Sequence, residues 1–163
     1  MLDKKLHDNK LESYLLAWIM AGYHTETDSW YKRHRKGFLF TMGDEPCLDH
    51  VSGEDLVEFL SYQKGAKGIT AKEALKKAEE QYEVFHIHVT DASHSLKEVE
   101  KGWRELLGDH LLSCKSSEIA TTIADTVRKF YVPEGESTET VETVVETVEN
   151  PSTESQPDDD LIL

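Results

Sequence analysis

An apolar run that stops abruptly at two acids constrains this chain more than any other feature. Residues 36–45 read KGFLFTMGDE. Gly37 precedes Phe38–Leu39–Phe40–Thr41–Met42, and Gly43–Asp44–Glu45–Pro46 ends it. A short apolar and β-branched run bounded by turn residues reads as a buried strand. In an open α/β sheet, ligands bind in the crevice beyond the carboxyl ends of the strands. Asp44 and Glu45 are therefore the first candidate site. The plainer alternative is a polar turn whose acids are solvated.

The segments around this strand alternate in period. Residues 1–10 are polar and read as a frayed N-terminus. In LESYLLAWIMAGYH, Leu11, Tyr14, Leu15, Trp18 and Ile19 recur at helical spacing. Leu16, Ala17 and Met20 widen the stripe, which predicts burial on more than one side. After the acids, Ser52 with Asp55 and Thr70 with Glu73 have capping-box spacing, predicting two helix starts. Tyr82–Val89, YEVFHIHV, predicts a second strand with Val84, His86 and His88 on one face and Phe85, Ile87 and Val89 on the other. A helix over 95–107 ends at Gly108. His110–Cys114 predicts a third strand, and Ser116–Phe130 a last helix. Strands alternating with helices predict an α/β body with a short, mostly parallel sheet between helix layers.

Composition narrows the function. The formal net charge of −14 falls mostly on residues 133–163, which hold 10 acidic and no basic residues. That segment repeats Thr-Val-Glu, lacks aromatic residues and reads as a disordered acidic tail. The body, residues 11–132, is only mildly acidic. Its one basic run, KRHRK at 32–36, is too short to predict nucleic-acid binding. Cys47 and Cys114 form no CxxC pair, which predicts free thiols in a reducing compartment. No leader-like apolar region opens the chain, and no run approaches the ~20 residues that span a bilayer. A cytoplasmic protein that binds neither membrane nor nucleic acid is expected.

Catalytic motifs are sparse. An apolar strand ending in Asp-Glu is like a Walker B element, but no glycine-rich loop with a Lys accompanies it. GxSxG is absent. His86-x-His88 puts two imidazoles on one strand face, short of the three or four ligands of an ordinary zinc site. These histidines read as residues packed under a helix or, with Asp44 and Glu45, as part of a small metal-dependent hydrolase or nuclease. Asp91-Ala92-Ser93-His94-Ser95 matches DxSxS. Asp91, Ser93 and Ser95 offer hard oxygen ligands of the kind Mg²⁺ takes. The same residues also suit a cap on the 95–107 helix.

DxSxS is the pattern by which von Willebrand factor type A (VWA) domains hold a divalent cation. The chain resembles that family in a second way. ESYLLAWIMAGYHTETDSWYKRHRKGFLFTMGDE is similar to the later half of certain bacterial and phage VWA-like domains, where a helix leads into a central strand ending in an acid. VFHIHV, WRELLGDHLL and SSEIATTIADTV resemble the elements that follow. The resemblance covers residues 11–130. It implies an incomplete Rossmann-like, VWA-type three-layer sandwich, with Asp44 or Glu45 as the acidic ligand of a Mg²⁺ ion. It also implies a non-catalytic protein–protein interaction module. The family's opening DxSxS strand has no counterpart before Leu11, so Phe38–Met42 is expected at a sheet edge. A protein partner or a second copy is expected to complete that edge. The other readings are the metal-dependent hydrolase or nuclease and a degenerate VWA fragment.

Overall fold

A computed structural model describes residues 13–131. The frayed N-terminus and the acidic tail expected from the sequence lie outside the described residues.

The polypeptide begins with helix α1 (Tyr14–His24) and the single turn α2 (Asp28–Tyr31). Strand β1 (Gly37–Gly43) follows. A two-residue strand β2 (His50–Val51), helix α3 (Gly53–Leu60), strand β3 (Ile69–Thr70) and helix α4 (Ala71–Ala78) lead to β4 (Tyr82–Val89). Then come α5 (Leu96–Leu107), β5 (Leu111–Cys114) and α6 (Ile119–Tyr131). β1, β4 and β5 form one parallel sheet in that order, and β2 pairs antiparallel with β3. This is a mixed α/β, Rossmann-like sandwich built on a small parallel sheet.

Local chemistry sets the helix starts. Ser52 Oγ accepts from the Asp55 amide at 3.1 Å, and the Asp55 carboxylate accepts from the Ser52 amide at 3.3 Å. Thr70 and Glu73 repeat the exchange at 3.3 and 2.8 Å. Each box satisfies two amides that would otherwise lack partners in the first turn. At the far end of α5, Gly108 takes a φ of +54°, which stops the helix. The chain then turns tightly through Gly108–His110, so the third strand starts at Leu111 and not at His110 as its sequence suggests.

The two faces of the sheet are covered unequally. Val84, His86 and His88 of β4 are fully buried, and the core on their side gathers Leu15, Trp18 and Ile19 of α1, Ala74 and Ala78 of α4, and Val99 and Trp103 of α5. On the opposite face, Phe38 and Phe85 meet Phe130 of α6. Phe40 stacks on Phe85 at 5.1 Å, and Phe130 approaches Phe38 edge-on at 5.2 Å. Among the described residues one helix covers this face, and thinly: Phe130 is 50% and Tyr131 62% exposed, and Met42 of β1 is 42% exposed.

α1 is buried on one side only. Ala17 and Met20 are exposed, contrary to the wider stripe expected, because α1 packs inward and among the described residues no second layer covers it. The antiparallel pair β2–β3 and the turn α2 are not marked in the sequence pattern. They are too short for periodicity to register.

Among the described residues β1 is an edge strand, as expected. Its Gly37 amide donates to the Gln81 carbonyl at 2.8 Å. Backbone groups alternate in direction along a strand, so Gly37, Leu39 and Thr41 turn toward β4 while Phe38, Phe40 and Met42 turn their N–H and C=O groups outward. Among the described residues no strand pairs with that outer side.

Helices α1 and α4 approach closely at Gly22. A Cβ on Gly22 would lie 2.8 Å from the Ala78 amide nitrogen and 2.9 Å from the Lys77 carbonyl carbon, both backbone atoms. Gly22→Ala is therefore expected to destabilise the protein by about 1–3 kcal/mol through overpacking, despite the better helix propensity of Ala. Urea unfolding of the variant checks this, and an unchanged or raised midpoint would refute the packing assignment.

Candidate functional site

The carboxyl ends of β1, β4 and β5 lie together because the three strands are parallel and adjacent. β1 delivers Asp44 and Glu45 there, β4 delivers Asp91 and His94, and β5 delivers Ser116. A parallel sheet thus gathers at one edge residues far apart in sequence.

Asp44 is held across the strand ends. The His94 amide donates to its Oδ2 at 2.7 Å, and His94 Nδ1 lies 3.4 Å from the same oxygen. His94 Nδ1 is also 3.5 Å from Glu45 Oε1, so one imidazole sits between two carboxylates. The His94 backbone bond is the main reason the Asp44 carboxyl titrates below its ordinary range; partial burial opposes it. Glu45 is anchored through its backbone. Its amide donates to the Tyr14 hydroxyl at 3.4 Å, and its carbonyl accepts from Trp103 Nε1 at 3.1 Å. The two carboxylates are only 13% and 18% exposed.

The DxSxS residues divide between two tasks. Both oxygens of Asp91 accept from Ser116, one from its amide at 2.8 Å and one from its hydroxyl at 2.7 Å, tying the end of β4 to the end of β5. Ser95 opens α5, its amide and hydroxyl each donating to the Glu98 carboxylate at 2.7 Å. Ser93 lies exposed in the turn between them. The structure brings Asp44, Glu45 and His94 together, and Asp91 with Ser116. Among the described residues no group of three or more His, Cys, Asp or Glu side chains is arranged to hold an ion. Asp44 is engaged by His94, and Asp91 by Ser116.

His86 and His88 lie within the fold. His86 stacks on Trp103 with ring centres 3.7 Å apart and planes 7° from parallel, and Tyr14 meets it edge-on at 4.8 Å. Thr41 Oγ1 lies 3.0 Å from its Nδ1. Neither ring nitrogen of His88 has a hydrogen-bond partner among the described residues. The imidazole beside the carboxylates is His94, which in sequence lies just beyond His86-x-His88 and inside DxSxS. Its signal was positional, since it follows a strand end as Asp44 does. The concavities beside Ser52 and Val57, and beside Cys47 and Thr70, are lined by other residues.

Burial, with the neighbouring His88 second, pushes the His86 pKa from 6.5 down to about 3. The folded protein thus keeps His86 neutral where the unfolded chain protonates it. Stability is fully present above pH 6.5 and falls as the pH drops toward 3, because the unfolded state binds the extra proton. His86→Gln removes that titration, so its unfolding free energy should fall less steeply between pH 6.5 and 4; a slope equal to the parent's would refute the assignment. Asp44→Asn weakens the charge-assisted bond to His94, so the His94 amide should lose protection from hydrogen exchange. The expected loss of stability is about 1–3 kcal/mol. Retained protection would show that the turn does not depend on Asp44.

Searched against protein-family models, characterised proteins and solved structures, the chain finds no match.

Proposed function

We propose that this chain is a non-catalytic protein–protein interaction module of VWA type that takes up a partner by strand addition along β1. The observation that carries this reading is the outer edge of β1, unpaired among the described residues and bearing the exposed Met42. A strand edge of outward N–H and C=O groups is a ready template for another chain. Mg²⁺ belongs to the reading as a weak ligand of Asp44 and Glu45, consistent with a site that the chain alone does not finish.

A second reading, a small metal-dependent hydrolase or nuclease, draws on the imidazole of His94 between Asp44 and Glu45. Buried His86 and His88 are poorly placed for that chemistry, so His94 would carry the acid–base role.

Titration calorimetry separates the two. The interaction reading expects Mg²⁺ to bind the isolated chain only in the millimolar range or weaker, with no Mg²⁺- or Mn²⁺-dependent cleavage of a phosphodiester. Tight binding together with cleavage, both lost in Asp44→Ala, would replace it with the enzyme reading.

A further inference from the structure

Resting on that reading, we infer that the partner is a second copy of this chain, joined antiparallel through β1 to β1 about a two-fold axis at Phe40. The charges flanking the strand carry the argument. Lys32, Arg33, Arg35 and Lys36 stand exposed before its first residue, while Asp44 and Glu45 follow its last. Only Lys32 and Lys36 of this run make ion pairs among the described residues, with Asp28 and Glu83. A parallel partner with the same polarity would set base on base and acid on acid. An antiparallel copy sets the basic end of each strand against the acidic end of the other.

The register is self-consistent. Gly37–Gly43 overlaps its own copy fully only when the axis passes through Phe40. Phe38 then faces Met42 of the second copy, and Phe40 faces Phe40. These are the residues whose backbone groups turn outward, so every facing pair can exchange two hydrogen bonds. Continued outward, the register sets Lys36 opposite Asp44 and Arg35 opposite Glu45 of the second copy. An isologous contact of this kind closes on itself and does not propagate.

The apolar surface agrees. Phe38, Phe40 and Met42 point to the face that α6 covers thinly. Phe38 lies 5.2 Å from Phe130 and 6.1 Å from Tyr131, ring centre to ring centre. Pairing brings Met42 of the second copy beside this aromatic group, covering the three exposed apolar side chains nearest the edge. The two sheets become one continuous sheet with β1 in its interior.

The full chain is tested by sedimentation velocity at low micromolar concentration, with Met42→Pro and with Arg35→Glu/Lys36→Glu. Met42 turns its N–H away from β4, so proline there removes an intermolecular bond and leaves the sheet within the protein intact. The parent should be dimeric, Met42→Pro monomeric with an unchanged far-ultraviolet spectrum, and the charge reversal at least about tenfold weaker in association. Phe40→Cys should form a disulfide-linked dimer on mild oxidation, since facing Cα atoms in such a pair lie about 5.5 Å apart. Cys114 is buried, and burial pushes the Cys47 thiol up to about 12, so neither native thiol competes. A dimer that survives Met42→Pro, or no Phe40→Cys cross-link, would overturn the inference. A monomeric parent would overturn it too, and hydrogen exchange then tells the two readings apart. Fast exchange at Phe38, Phe40 and Met42 leaves an open edge for a different protein. Slow exchange shows the edge already covered and removes the interaction reading with it.

Discussion

β4 has a neighbour on each side and a helix layer on each face, and the rest of the body is arranged to bury it. The demand is awkward, because one face of β4 carries two histidines. Stacking solves it for His86, which lies flat against Trp103 with Tyr14 at its edge. That contact joins the sheet, α1 and α5 in one cluster. Trp103 also reaches the Glu45 carbonyl with its indole N–H, so the same side chain fixes the core and the end of β1. The core and the strand-end surface are therefore not independent regions, and a change that loosens Trp103 disturbs both.

Most of the architecture was legible because its signals are local. The β4 alternation reads straight from YEVFHIHV, and two capping boxes read from Ser52–Asp55 and Thr70–Glu73. Parallel order followed from strands alternating with helices. What escaped was short or depended on distant partners. β2 and β3 are two residues each and exist only because they pair with each other. The exposure of Ala17 and Met20 depends on which elements pack over α1, and an apolar stripe does not specify that. At the strand ends, Asp44 and Glu45 were visible as acids after an apolar run. His94, 50 residues from Asp44 in sequence, joins them only through the adjacency of β1 and β4.

The DxSxS stretch illustrates how one string serves several ends. Asp91 accepts from the Ser116 amide, and the Ser95 amide donates to the Glu98 carboxylate, work that any strand-to-helix connection requires. Hydrogen bonding of this kind holds the β4–α5 turn in place whether or not an ion ever visits it.

The bond from the His94 amide to Asp44 has a mechanical meaning. It latches the end of β1 to the turn from which α5 springs. Any newcomer that claims Asp44 Oδ2, whether a guanidinium from another chain or a metal, must compete with that amide for the same lone pairs. Winning the competition unlatches the turn and frees the first residues of α5. Occupancy at the end of one strand would then be felt as slack at the start of a helix that the newcomer never touches.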